Sequence, residues 1–350
     1  MARPPHRCPF RQGFRADRTL IHCILAGLLL LATAGPAWSQ DVPDSPAAQP
    51  RQKLQDLLPM KTLGGRHYWG DVTYFQGWKI QQNVLTKHFR LLDDMDRRHA
   101  WGTRKQCQAR LDEIQREQNL PDMSGHAVIL LHGIIRSSKS MSRIKKRLTE
   151  SGFVTIPFDY PSTQVDLDHC SEYLDQVVKS LHGIKQISFV THSLGGLVVR
   201  NWLREHSDQR TRRLVMIGTP NKGAEMADKL QDWAAYRLIL GPAGQQLISG
   251  GEGAISQLPV PKFEFAIIAG AKGTRDGYNL MIPGDDDGTV TIRSAQLEGA
   301  ADFMTLPVLH SFLPLNAEVI DCTDRFLKTG AFRKTGQKNP VATPSAEKPE

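Results

Sequence analysis

The stretch Val190-Thr191-His192-Ser193-Leu194-Gly195-Gly196 decides how the rest of the chain is read. Before it, Ile187, Phe189 and Val190 form a short apolar run of the kind that makes a buried strand. After it, Leu194, Leu197, Val198 and Trp202 recur at helical spacing. Ser193 therefore stands on a strand-to-helix turn. So sharp a turn brings two backbones nearly into contact and needs small neighbours, which Gly195 and Gly196 supply; it lifts the hydroxyl out of the sheet with the next N–H facing the same way. The usual pattern is Gly-x-Ser-x-Gly. Thr191 replaces the first glycine, a change that suits a strand end because β-branched residues favour strands. The plain alternative is a serine that merely caps the following helix.

A nucleophilic serine needs a base to take its proton, an acid to orient that base, and N–H donors for the oxyanion. The elbow resembles that of α/β-hydrolases, and the resemblance implies the chain order Ser, then Asp or Glu, then His. Both partners follow in that order. Lys262 to Ala271 reads as a buried strand, and the loop after it contains Pro283-Gly284-Asp285-Asp286-Asp287-Gly288-Thr289-Val290; Phe303 to Leu309 reads as the next strand and ends on His310. Upstream, the apolar run Ala127 to Leu131 ends in His132-Gly133-Ile134, which turns the next backbone N–H toward the serine. Ile134 N–H and Leu194 N–H are the expected oxyanion donors.

The acidic triplet has two other readings, a solvated Pro/Gly/Asp turn or part of a calcium site. Nothing nearby supplies the six or more oxygens that calcium takes. Of the 12 histidines, His132 and His192 lie beside the two turns and read as packing residues, and a histidine adjacent in sequence to Ser193 points away from it. No histidine follows His310, so it is the candidate base.

These motifs, together with LLHGIIRSSKSM, FDYPST, FVTHSLGG, VMIGTPNKGAE, GPAG, PGDDDGTV and LPVLHSFL, resemble the α/β-hydrolase superfamily, and within it bacterial lipase- and esterase-like serine hydrolases with an N-terminal extension. The resemblance covers Gly65 to about Gly330. It implies a hydrolase of carboxylic esters with Ser193 as nucleophile, His310 as base and Asp287 as acid, because the family's acid is the Asp directly before the Gly of the Asp-Gly-x-Val loop. The implied chemistry uses no cofactor and no metal.

The intervening segments fit an α/β fold with a doubly wound, mostly parallel sheet. Met141, Ile144 and Leu148 mark a helix ending near Gly152, Phe153 to Pro157 a strand, Tyr173 to Leu181 a helix, Leu214 to Ile217 a strand, and Val319 to Leu327 a closing helix. The expected catalytic domain is 124–329. Between Gly223 and Pro261 an apolar, glycine-containing insertion interrupts the alternation and reads as a helical lid or, equally, as an ordinary core helix. Residues 61–123 read as a helical and aromatic extension packed on the sheet, with Leu111 and Ile114 on one helix face. Residues 330–350, rich in Lys, Pro, Thr and Ser, read as a disordered tail.

Residues 1–39 have the pattern of a signal peptide: five arginines, an apolar run from Leu20 to Ala34, and Ala37-Trp38-Ser39 before the cut. That run is short for a membrane span, so export to the periplasm or outside is expected, with an uncleaved inner-membrane anchor as the alternative. Residues 40–60 follow as a Pro/Ala/Gln-rich linker. The five leader arginines against Asp17 account for +4 of the net +8, so the remainder carries only +4 and gives nucleic-acid binding no support. Of five cysteines, Cys107, Cys170 and Cys322 stay, enough for one disulfide at most. The expected partner is a small-molecule or lipid ester, with transient contact to a lipid interface. A thioesterase, phospholipase, lipid amidase or acyltransferase would use the same residues. A lipase-assisting binding protein or an inactive receptor-like hydrolase would not need an intact triad.

Overall fold

The computed structural model describes residues 60–61, 66–223, 241–244, 246, 255 and 257–342. The proposed leader, nearly all of the linker and most of the proposed lid lie outside the described residues, and so do residues 343–350.

Six strands build the main sheet, each an apolar run with both faces covered: β6 (Gly125–Leu131), β7 (Val154–Phe158), β8 (Ile184–His192), β9 (Thr211–Ile217), β10 (Glu264–Gly270) and β11 (Asp302–Leu306). Every pairing is parallel, in the order β11-β10-β9-β8-β6-β7. Continuous apolar strands of this kind are what a sheet buried on both faces requires. One side packs α3 (Leu167–Ser180) and α4 (Leu194–Glu205), the other α2 (Ser142–Glu150) and α6 (Ala317–Thr329), giving two apolar layers, and a single-turn α5 (Ile292–Ala295) lies between β10 and β11 in the chain. After β6 the chain moves outward to β7, then returns to the other side of β6 and marches away through β8 to β11. The strand order therefore reverses between β6 and β8, and ligand sites of open parallel sheets form at such a crevice. The sheet order and the strand-turn-helix at Ser193 make this an α/β-hydrolase fold.

The extension contains the helix expected around Leu111 and Ile114, but more of its described residues are strand than helix. Its one α-helix is α1 (Arg104–Glu117), with Cys107, Leu111 and Ile114 buried and a capping box in which the Thr103 side chain and the Gln106 side chain each take the other's backbone N–H. The rest is a separate antiparallel sheet, β1-β5-β4-β3-β2, of β1 (Met60–Lys61), β2 (Trp69–Phe75), β3 (Trp78–Asn83), β4 (Phe89–Leu92) and β5 (Arg97–Gly102). The β2–β3 connection is a two-residue turn, Gln76-Gly77, with φ of 45° and 92°. That is the mirror-image turn that matches strand twist, built here without the Asn-Gly that signals it. Strand β2 lies against α3: a Cβ on Gly70 would stand 2.6 Å from the Tyr173 ring, and the Tyr74 N–H donates to Ser180 Oγ at 3.1 Å.

The tail is corrected too, for the part described. Gly330 ends α6 in the left-handed conformation, and the chain then runs back along β11. Asp302, fully buried, holds this return. Its carboxylate accepts from Phe332 N (2.8 Å), Arg333 Nη1 (2.9 Å) and Asn339 N (2.9 Å), while Phe303 N donates to Asn339 O and Val341 N to Ala300 O. Phe332 is fully buried against Phe326, ring centroids 5.2 Å apart. Lys-, Pro- and Thr-rich composition hid one aromatic anchor and one buried carboxylate. Cys107, Cys170 and Cys322 are buried free thiols.

Phe332→Ala should lower stability by about 3 kcal/mol or more, the usual result of emptying a buried aromatic site. The urea midpoint reads this, and an unchanged midpoint would mean that the segment does not pack.

Candidate active site

At the end of β8 the backbone of Ser193 has φ 52° and ψ −122°, a conformation that a non-glycine residue rarely adopts. Its side chain makes no cap bond to α4, which removes the reading of Ser193 as a helix cap. Two features over-determine the strained turn. Ser193 N donates to Ile217 O at 2.9 Å, and α4 begins so close to β6 that a Cβ on Gly195 would lie 2.8 Å from Leu131 O and 2.9 Å from His132 O. A Cβ on Gly196 would collide with the Thr219 side chain. Thr191 stays in strand register, opposite Leu131 on one side and Met216 on the other.

The loop after β6 comes back to the same point. A Cβ on Gly133 would stand 3.2 Å from Ser193 Cβ, so Ile134 follows directly on the closest approach to the serine. Among the described residues, neither Ile134 N nor Leu194 N has an acceptor. Leu194 is the first residue of α4, where helix N–H groups lack intrahelical partners and carry the positive end of the dipole.

The acidic triplet separates into three jobs. Asp285 accepts from Lys272 N and Gly273 N; Asp286, fully buried, accepts from Gly288 N and Asn279 N. Asp287 is the one that meets histidine: its Oδ2 lies 2.8 Å from His310 Nδ1, its Oδ1 accepts from Thr289 N and Val290 N, and its backbone oxygen accepts from His310 N at 2.8 Å. The oxygen of Asp287 that His310 leaves free is thus taken by two backbone donors, on a side chain that is 1% exposed. With Nδ1 taken by Asp287, Nε2 is the ring nitrogen left for a hydroxyl.

His310 reaches the elbow through its surroundings. Its ring lies over Gly218, where a Cβ would stand 3.2 Å from both His310 Cε1 and Nδ1, and Gly218 directly follows the Ile217 carbonyl that holds Ser193 N. The five residues thus gather at the carboxyl ends of β6, β8, β10 and β11. No hydrogen bond between Ser193 Oγ and the His310 ring is made among the described residues; such bonds are often long without substrate and tighten in the complex.

The bystander histidines have structural roles. His192 Nε2 donates to the His310 backbone oxygen at 3.1 Å, so it braces the His310 backbone, and its Nδ1 is buried with no partner among the described residues. Burial, then the neighbouring His310, pushes the His192 pKa well below the ordinary 6.5. His132 stacks on Tyr160 with centroids 4.3 Å apart, and its Nδ1 bonds Gly133 O at 2.7 Å. Sequence reasoning passed over Arg200, one face of α4 further on. Its buried guanidinium donates to Asn221 O, Leu258 O and Pro259 O, joining the chain on both sides of 224–256, and burial lowers its pKa to about 10. No periodicity marks an arginine that bonds only to carbonyls.

A family model described as a domain of unknown function, DUF7379, matches residues 90–240. No curated protein matches the chain. Among solved structures it is similar to Bacillus licheniformis lipase BlEst2 in mature form, 20% identical over 56% of this chain and 93% of that one, TM-score 0.42. It is also similar to phospholipase PlaB from Legionella pneumophila, 17% identical, covering 54% of this chain and 53% of that one, TM-score 0.43. A third is the metagenomic carboxyl esterase MGS0156, 18% identical, 54% and 65% covered, TM-score 0.40. The chain thus spans about half the length of the phospholipase.

The buried His192 supplies a pH test. Its folded pKa lies below the unfolded value of 6.5, so unfolding takes up a proton, and the stability it contributes is present above pH 6.5 and lost as the pH falls below it. Between pH 6 and 5 the wild-type unfolding free energy should fall more steeply than that of His192→Gln by about 1.4 kcal/mol per pH unit. Parallel urea-unfolding slopes would mean that the ring titrates normally.

Proposed function

We propose that this protein is a serine hydrolase of carboxylic esters whose acyl or alcohol part is apolar. His310 Nε2 takes the proton of Ser193, whose Oγ attacks the ester carbonyl. The tetrahedral oxyanion is held by the N–H groups of Ile134 and Leu194. The alcohol leaves with the proton from His310, and water, activated by the same ring, releases the acid from the acyl-enzyme. Asp287 keeps Nδ1 protonated and stabilises the single positive charge of the imidazolium that forms as Ser193 attacks.

The observation that carries this reading is the Asp287–His310 pair, 2.8 Å apart, set beside a serine with a left-handed backbone that does not cap its helix. A capping serine would have an extended backbone and bond the first turn. The apolar character of the substrate is inferred from the mouth: Ile135 on the oxyanion loop and Leu309 and Phe312 flanking His310 are exposed apolar side chains, 40%, 41% and 56% accessible. Their surface favours an apolar ligand over a sugar or phosphate ester. The leader pattern supports export, so the substrate is met outside the cytoplasm.

A fluorophosphonate probe should label wild-type protein and not Ser193→Ala, and turnover of p-nitrophenyl esters should drop about 10⁴-fold or more in Ser193→Ala and His310→Ala. Absence of labelling in both proteins would refute the catalytic reading. Rates across ester, thioester, phospholipid and triglyceride substrates assign the bond cleaved.

A further inference from the structure

We propose that the Asp159-Tyr160-Pro161-Ser162 segment positions the oxyanion loop, with Asp159 as its key positioning residue and Lys79 of the N-terminal sheet fixing that carboxylate in place. The proposal rests on the hydrolase reading above and assigns to that site a support drawn from the extension.

The loop 132–138 contains a second strained residue. Ile135 has φ 62°, an outlier for a β-branched side chain, and it directly follows the proposed donor Ile134. Such a backbone persists only where its surroundings over-determine it. The restraints come from one place. Tyr160 OH donates to His132 O at 2.5 Å, Ile135 N donates to Ser162 Oγ at 3.2 Å, and Asp159 takes both Ser138 donors, the backbone N–H at 2.7 Å and the hydroxyl at 2.8 Å. The loop is held at its start, at its strained residue and at its end. FDYPST, which the triad does not use, contains all three anchors.

Asp159 is in turn held from the antiparallel sheet. Its N–H donates to Asp71 Oδ2 at 2.8 Å and its carbonyl accepts from Asp71 N at 2.9 Å, a reciprocal pair between β2 and the end of β7. Lys79 Nζ donates to Asp159 Oδ2 at 3.1 Å and stands 3.8 Å from Asp71 Oδ2. Gln81 occupies the other Asp71 oxygen at 2.7 Å. Burial by itself would raise the Asp159 carboxyl; Lys79, then His132 and Ser138, more than offset it and hold it far below the usual carboxylate range. Asp71, with less compensation, is pushed by burial up to about 6. Buried ion pairs are weak contributors to stability compared with apolar packing. What this one supplies is direction: a fixed anion that accepts two bonds from the loop whose N–H must meet an oxyanion within a few tenths of an ångström.

The test uses Lys79→Met, Ser138→Ala and the double variant, with active sites titrated by fluorophosphonate. Three quantities are read per active site: kcat and KM on a p-nitrophenyl ester, the inhibition constant of a trifluoromethyl ketone that forms the tetrahedral adduct, and amide hydrogen exchange over 132–138. Removal of one oxyanion donor costs about 10²–10³ in kcat, so misplacing it should cost about 10-fold in Ser138→Ala and up to about 100-fold in Lys79→Met. The ketone should weaken by the same factors with KM nearly constant. The double variant should be no slower than Lys79→Met, because both act through Asp159, and Lys79→Arg should recover part of the rate. Exchange over 132–138 should speed up while the Ser193 helix stays protected. Unchanged kcat per titrated site, with only the folded fraction reduced, overturns the proposal, as do effects that multiply in the double variant. If wild type neither turns over nor labels, the hydrolase reading fails, and unaltered exchange over 132–138 would separately reject the anchoring.

Discussion

The structure depends on the close approach of two backbones where the sheet changes direction. Because β6 and β8 are neighbours and their following segments diverge, the start of α4 must pass over the end of β6. Only a residue without Cβ fits at position 195, against Leu131 O and His132 O. That contact forces Ser193 into its left-handed backbone and turns the Leu194 N–H outward. The same point receives the loop after β6 through Gly133, and the end of β9 places Gly218 beneath His310. The proposed chemistry would occupy a crevice that the strand order has already created.

Charge is distributed around that crevice by burial. Asp287 is almost inaccessible, yet two backbone donors and the His310 ring surround it, so its charge is satisfied within the protein and acts at short range through a low-dielectric medium. Its neighbours in the triplet have spent their oxygens on turn amides. His192, kept neutral by burial, contributes a hydrogen bond to the back of His310 without adding a second positive charge beside it.

The parts legible in the sequence are those in which local pattern and global role coincide. Strands buried on both faces appear as apolar runs, and β6 through β11 were found within a few residues of their bounds. The elbow announces itself because a short turn demands glycines at fixed offsets. Asp287 is different: composition makes the three aspartates equal, and only the path of the loop decides which one faces His310. The antiparallel sheet was hidden because β3 buries Lys79 and Gln81 on the same terms as Ile80, erasing the alternation that marks a strand. Those polar residues are buried because they meet Asp71, Asp159 and Arg90, partners far away in sequence or on other strands. A buried polar group is recognisable only once its partner is known.

Arg200 extends this argument to the helix that follows Ser193. A guanidinium offers five donors in a rigid plane, and in α4 they are spent on carbonyl oxygens, with no carboxylate among the described residues bonded to it. Carbonyls of Asn221, Leu258 and Pro259 can only converge on one plane if the chain before residue 224 and the chain after residue 256 both lie against the same helix. Shortening that side chain would release two segments at once. The helix that presents Leu194 is therefore fixed at its first turn by backbone contact with β6 and, two turns on, by a charge bonded to Asn221, Leu258 and Pro259.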